Sequence, residues 1–222
     1  MTNISQQTLA SIVKESHHAV PVLEKYSLDF CCKGKRSLAE ACTEKGLPVQ
    51  DIEKELSAAM TQEVDKRIPF SRMTAGQLIS HIMARHHFYA RQSMPAILFH
   101  LGKVASKHGD RFPYMKEVLT IFSAVQLEMD AHMQKEEFIL FPRIKDLEQA
   151  GTHHDRSASP HNFIDGPIAV MEAEHEHAGE AMFRIRELTN NYTAPETACT
   201  TFRVALAELK EFEEDLHEHV HL

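Results

Sequence analysis

Sixteen histidines stand beside 32 aspartates and glutamates in a chain of 222 residues. Such a pool of imidazole and carboxylate suits Fe, Zn, Mn or Cu better than it suits packing. The sharpest local pattern is His132 followed by Glu136. Four steps of about 100° on a helix return a side chain to within about 40° of its start, so the two share one face, and Glu128 continues that face one turn earlier. An imidazole and a carboxylate placed this way can hold a cation between them. Apolar residues follow at Phe138 to Phe141, and Pro142 should stop or kink the helix there. A lone H-x-x-x-E is common on helices, so the pattern gains weight only if other helices each add an inward histidine.

Three further segments offer candidates: His81, His86 or His87; His175 or His177; and His217, His219 or His221. Neighbours at helical spacing choose among them in part. His175 lies on a stripe of Met171, Ala178, Gly179 and Met182, whereas His177 has Ala173, Glu174, Glu180 and Ala181 around it, so His175 is the inward residue. His219 shares a face with Phe212, Asp215 and Leu216, while His217 goes with Glu213, Glu214 and His221 on a face that reads as solvated. Among His81, His86 and His87 periodicity alone does not decide. For any single histidine the plainer reading is an ordinary core or surface residue; four helices each presenting one inward is a different matter.

The elements that must position these residues are helices. Residues 74–107, 113–148, 167–191 and 195–222 carry the long apolar periodicities, punctuated by Gly109 to Pro113, by a polar loop from Gly151 to Gly166, and by Asn190-Asn191. Thr74 to Gln77 has the spacing of a capping box, Pro195 suits a first helical turn, and Pro95 should kink the first long helix. No run of alternating β-branched residues occurs. The expected architecture is all-α: an up-down four-helix bundle over 74–222, preceded by a small module of short helices over 1–66. In that module Leu9, Ile12 and Val13, then Val20, Val22 and Leu23, then Leu38, Ala41 and Cys42, then Ile52, Leu56 and Met60 mark four helices, the last opened by Pro48 after Gly46. Between the second and third lies a turn holding the adjacent Cys31 and Cys32. A vicinal disulfide there would be strained, so their chemistry is that of thiols. Cys42 and Cys199 fall on apolar helix faces and are expected in the core.

Five stretches carry a resemblance: LDFCCKGKRSL from Leu28, HIMARHH from His81, HMQKEEFILFP from His132, GPIAVMEAEH from Gly166 and ACTT from Ala198. The bundle resembles the hemerythrin-like (HHE) cation-binding domain, and the whole chain resembles the iron-sulfur cluster repair di-iron proteins of the RIC or ScdA type. The resemblance implies a non-haem di-iron centre with an oxo or hydroxo bridge. Its terminal histidines would be His87, His132, His175 and His219, one per helix, and Glu136 would be one of two bridging carboxylates. Glu128 and Glu174 match family acids near the ligands that can orient a ligand or relay a proton. The family's second bridging Glu would fall at position 223, beyond Leu222. Either the sequence is a truncated form, or Asp215 or water stands in; in each case the second iron should bind more weakly. Lys33 replaces a small residue of the family beside the cysteines and adds positive charge there. Gly179 stands where oxygen-carrying hemerythrins place another histidine, which implies a more open coordination sphere.

The resemblance further implies repair of iron-sulfur clusters under oxidative or nitrosative stress, by donating labile iron to proteins with damaged clusters. One alternative is an oxidoreductase reducing nitric oxide at the di-iron site; another is an oxygen or nitric oxide sensor, for which an output domain would be expected. Cys31 and Cys32 would pass iron, meet oxidants or touch a client. The stretch His217 to His221 formally satisfies H-E-x-x-H, but it has no third ligand after it, which argues against a zinc protease. A net charge of −8 without a basic run argues against nucleic acid as a partner. With no apolar stretch of membrane length and no signal-peptide pattern, a cytoplasmic location is expected. A homodimer stays open.

Overall fold

A computed structural model describes residues 4–16, 19–26, 28, 30, 34–60, 70–152 and 164–222. Cys31, Cys32 and Lys33 lie outside the described residues. The chain divides between residues 68 and 69 into two compact units.

Among the described residues the first unit is built from four short α-helices, α1 (Leu9–Glu15), α2 (Val20–Lys25), α3 (Leu38–Lys45) and α4 (Val49–Met60). None is long enough to stand alone in water. Capping and a shared core hold them. The Thr8 hydroxyl accepts from the Ser11 amide at the start of α1. At α3 the Ser37 hydroxyl accepts from the Glu40 amide, and the Glu40 carboxylate accepts from the Ser37 amide in return. Leu9, Ile12, Val13, Leu23, Leu38, Ala41, Cys42, Ile52 and Leu56 are buried together with Leu28 and Phe30. The entry to α3 is pinned to α1: the Leu9 amide donates to the Arg36 carbonyl at 2.9 Å and the Leu38 amide to the Gln7 carbonyl at 2.9 Å. Gly46 ends α3 with φ of 64°, and nothing lies within 4 Å of where its Cβ would be. Gly46→Ala should therefore cost only the left-handed backbone penalty, about 1–2 kcal/mol. Chemical denaturation of the full chain checks this; a neutral result would mean that α3 ends equally well without a left-handed residue.

The second unit is an all-α, up-down four-helix bundle. Its first arm is α5 (Ala75–Ile82), a π-helical turn (Met83–His87) and α6 (Phe88–His108); its second is α7 (Tyr114–Lys135), another π turn (Glu136–Leu140) and α8 (Phe141–Thr152); α9 (Asp165–Leu188) and α10 (Thr200–His221) complete it. Thr74 and Gln77 form the expected capping box. Glu148 of α8 also caps α5, accepting from the Ala75 and Gly76 amides at 2.8 and 3.1 Å. Pro95 lies inside α6 without ending it. Pro142 does not stop the second arm either: the π turn before it shifts the bonding to i→i−5, with the Phe141 amide donating to the Glu136 carbonyl, and α8 continues.

The core follows the 3.6-residue period. Met94, Ile97, Leu101 and Val104 of α6 meet Phe122, Val125, Met129 and Met133 of α7, Met182 and Ile185 of α9, and Phe202, Leu206, Leu209 and Phe212 of α10. Phe122 and Phe212 pack edge to face at 5.2 Å, a favoured aromatic geometry. At the end of the bundle that carries the histidines, Ile79, Ile82, Leu140, Phe141 and Met171 form a second apolar layer.

Three expectations need correction. Pro195 is not in a helical first turn, because α10 begins only at Thr200. The chain leaves α9 through Asn190, Asn191 and Tyr192, all with positive φ, and makes a further turn before α10. Cys199 is exposed at the start of α10 rather than buried. Glu213, expected on the solvated face, is buried: its carboxylate receives the Arg186 guanidinium at 2.7 Å and the Tyr192 hydroxyl at 2.9 Å. A carboxylate can leave water where a guanidinium and a hydroxyl replace its hydration.

Candidate metal centre

The two π turns govern which side chains reach the bundle interior. Successive residues of a regular helix point about 100° apart, so His86 and His87 would not normally both be interior. Both are buried here. His87 turns toward α7 and His86 toward Asp215 of α10. The second π turn likewise lets Glu136 enter the interior while Glu137 reaches the outer edge of His87. Single π turns of this kind frequently accompany functional sites.

Glu136 Oε2 is the focus of the cluster. His87 Nε2 lies 2.9 Å from it, and His132 Nε2 and His219 Nε2 each lie 3.4 Å away. His175 Nε2 stands 2.8 Å from His132 Nε2. His132, Glu136, His175 and His219 present ligand atoms that all fall within 4.8 Å of one another. The five residues thus meet from α6's leading π turn, α7 with its π turn, α9 and α10. Outer partners aim two of the rings. His132 Nδ1 faces Glu174 at 3.0 Å and His87 Nδ1 faces Glu137 at 2.7 Å, with Arg91 on the same Glu137 oxygen at 2.9 Å. A proton on Nδ1 held by a carboxylate fixes the tautomer and leaves Nε2 pointing inward, the arrangement usual around metal-binding histidines.

Electrostatics favour a cation at this point. Burial pushes the Glu136 carboxyl toward its neutral form, but the imidazoles of His132, His219 and His87 outweigh that and hold it far below the usual carboxylate range. Burial, reinforced by His132 and His219, pushes His175 down to about 3. Burial also lowers His219. Both rings are therefore neutral at pH 7 with lone pairs available. His132 goes the other way: burial lowers it, but Glu136 and Glu174 together raise it. His219 Nε2 is buried and makes no hydrogen bond among the described residues, and the two facing Nε2 atoms of His132 and His175 share at most one proton. Two ligands about 2.1 Å from one ion stand roughly 3–3.4 Å apart, the spacing seen here. Nitrogen and carboxylate donors of this kind suit Fe, Zn, Mn or Cu.

Other residues with candidate roles sit elsewhere. Glu128 does not reach the cluster: it lies a helical turn, about 6 Å, before His132, and is solvent-exposed with His177 3.2 Å away. Asp215, a turn before His219, faces His86 at 3.0 Å rather than Glu136. Glu137 is the partner that periodicity did not reveal; the adjacent pairs His86-His87 and Glu136-Glu137, each in a π turn, are the sequence signal for it.

Comparison with known proteins matches both parts of the chain to known families. Residues 5–60 match ScdA_N, described as a domain of unknown function (DUF542), and residues 78–222 match the hemerythrin HHE cation binding domain. Proteins named iron-sulfur cluster repair protein YtfE, from Citrobacter koseri, from Enterobacter sp. strain 638 and from Escherichia coli O17:K52:H18, are each 34% identical over 216 residues, covering 97% of this chain and 92% of the relative. Among the described residues no helix is long and apolar enough to cross a membrane. The chain belongs to the family of these iron-sulfur cluster repair proteins, an ScdA_N domain followed by a hemerythrin HHE cation-binding domain.

Proposed function

We propose that His87, His132, His175, His219 and Glu136 hold iron in a non-haem di-iron centre, and that the protein delivers this iron to iron-sulfur clusters damaged by oxidative or nitrosative stress. The observation that carries the reading is the convergence of three imidazole nitrogens on one buried carboxylate oxygen. The relatives named as iron-sulfur cluster repair proteins give the direction of the chemistry. Iron is the cargo, and Fe(II) held mainly by neutral imidazoles exchanges more readily than iron held by thiolates.

The chain's own residues divide the work. Glu136 supplies the negative charge that keeps a cation inside an apolar bundle. Glu174, itself partnered by Lys135, keeps His132 aimed inward. His175 is the partly exposed member of the cluster and marks the side open to exchange. Client proteins carrying clusters that have lost iron are the proposed partners, in the cytoplasm.

The test is delivery of iron from the anaerobically loaded full chain to a protein whose [4Fe–4S] cluster has been oxidised to [3Fe–4S], with an added thiol reductant supplying the one electron per cluster that rebuilding [4Fe–4S]2+ from [3Fe–4S]+ and Fe(II) requires, and with reductant but no iron donor as the control. The client's [3Fe–4S] electron paramagnetic resonance signal should disappear in proportion to the iron lost by the donor. Iron retained through repeated consumption of nitric oxide, with the client unrepaired, would instead make the protein an oxidoreductase.

Glu174→Ala should weaken iron binding by about 10–100-fold, as loss of a partner that orients a ligand does elsewhere. Competition against a chelator of known affinity measures it. Unchanged affinity would mean that His132 keeps its orientation without Glu174.

A further inference from the structure

A second group of metal-binding side chains lies outside the Glu136 cluster. His86, Asp215 and Glu218 present one ligand atom each, all within 4.8 Å of one another. His86 Nδ1 and Asp215 Oδ1 are 3.0 Å apart, within the range for two ligands of one ion. His86 distinguishes this group from a pair of surface acids. It is 1% exposed, and its Nε2 is buried without a hydrogen-bond partner among the described residues. His81 repeats the feature beside it: its Nε2 is also buried and unpartnered, and its ring meets that of His86 edge-on at 5.7 Å. The two histidines are five residues apart and meet across the π turn, whose bonds span five residues. Because the atom that faces Asp215 is Nδ1, the unpartnered Nε2 atoms of His86 and His81 line the group and are not its ligands.

We propose that His86, Asp215 and Glu218, lined by His81, form a second binding site for a divalent transition-metal cation. One imidazole and two carboxylates, with water in the remaining positions, suit Fe(II), Mn(II), Co(II) or Zn(II) over the all-oxygen cations Ca(II) and Mg(II). The residual cation at the site is Arg85, whose guanidinium stands 3.6 Å from Glu218 and is itself half-exposed, so a metal ion displaces a loose, hydrated contact. Asp215 and Glu218 are partly exposed, unlike Glu136, so this site takes its ion from solvent. It is also close to the first centre: the His86 and His219 rings stack at 5.8 Å. An ion held here is adjacent to the interior cluster on the solvent side, and its existence does not depend on the iron-delivery reading.

Cobalt(II) is the probe, titrated into the metal-free full chain by equilibrium dialysis with visible absorption of the bound ion. The wild-type protein, His132→Ala/His175→Ala, Asp215→Asn/Glu218→Gln and the combination of all four are compared. The His132→Ala/His175→Ala protein should still bind one Co(II) per chain, and adding Asp215→Asn/Glu218→Gln should weaken that ion at least tenfold. In the wild-type background Asp215→Asn/Glu218→Gln should lower the stoichiometry by one, a result that holds even if the interior substitutions prevent folding. An unchanged stoichiometry in that variant overturns the proposal. So does an ion that survives Asp215→Asn/Glu218→Gln but is lost in His217→Ala/His221→Ala, which would place it on those two histidines. Interior ions that survive His132→Ala/His175→Ala would contradict the Glu136-centred reading and leave the second site standing.

Discussion

Glu136→Ala is expected to remove iron from the interior of the bundle, with a loss of affinity exceeding the roughly 10–100-fold that attends loss of an orienting partner. The reason is geometric. One carboxylate oxygen is within 3.4 Å of three imidazole nitrogens, and no second carboxylate among the described residues occupies that cluster. A cation in a buried, otherwise neutral nest of histidines lacks a counter-charge, and burying an uncompensated charge is expensive. The same reasoning sets the pH dependence. His132 is held above the ordinary imidazole value in the metal-free protein, so a cation must expel its proton. Affinity for iron should therefore rise with pH up to that raised value and fall on acidification, and Glu136→Ala should flatten the curve. Chelator competition across pH 5.5–8, with unchanged curves in the variant, would contradict the assignment.

The largest effect on stability is expected far from the cluster, at Arg186. Its guanidinium reaches the buried Glu213 carboxylate, which also receives the Tyr192 hydroxyl. Removing one partner of a buried pair strands the other charge and typically costs about 3–5 kcal/mol. For a unit of about 150 residues, Arg186→Ala should lower Tm by on the order of 10 °C. Tyr192→Phe should cost less, about 1–2 kcal/mol, since it removes a neutral hydrogen bond to a charge. Arg186→Met/Glu213→Leu should recover most of the loss, because an apolar pair of similar volume leaves nothing unpaired. Thermal unfolding of the metal-free protein separates these outcomes. A fall under about 1 kcal/mol in Arg186→Ala would mean that Glu213 finds water instead.

The helices and the inward histidines were readable because both depend on local periodicity. His219 with Phe212 and Leu216 is buried as its neighbours predict, and His175 beside Met171, Ala178 and Met182 reaches His132 while staying partly exposed. Two kinds of feature escaped. A π turn shifts the phase of a helix, so a wheel drawn at 100° per residue could not decide between His86 and His87 or find a separate role for Glu137. Long-range pairing is equally invisible: Glu213 reads as a surface acid until Arg186, 27 residues away, and Tyr192, held by a run of positive φ, are brought against it. The same run delays the start of α10 and leaves Cys199 exposed.

Iron per chain, determined with the absorption spectrum on the anaerobically purified 222-residue protein and on His132→Ala, decides whether the bundle holds iron through these residues. About two irons with oxo-bridged charge-transfer absorption are expected, lost from the interior in His132→Ala. Iron content unaffected by that substitution, or zinc in place of iron, would contradict it.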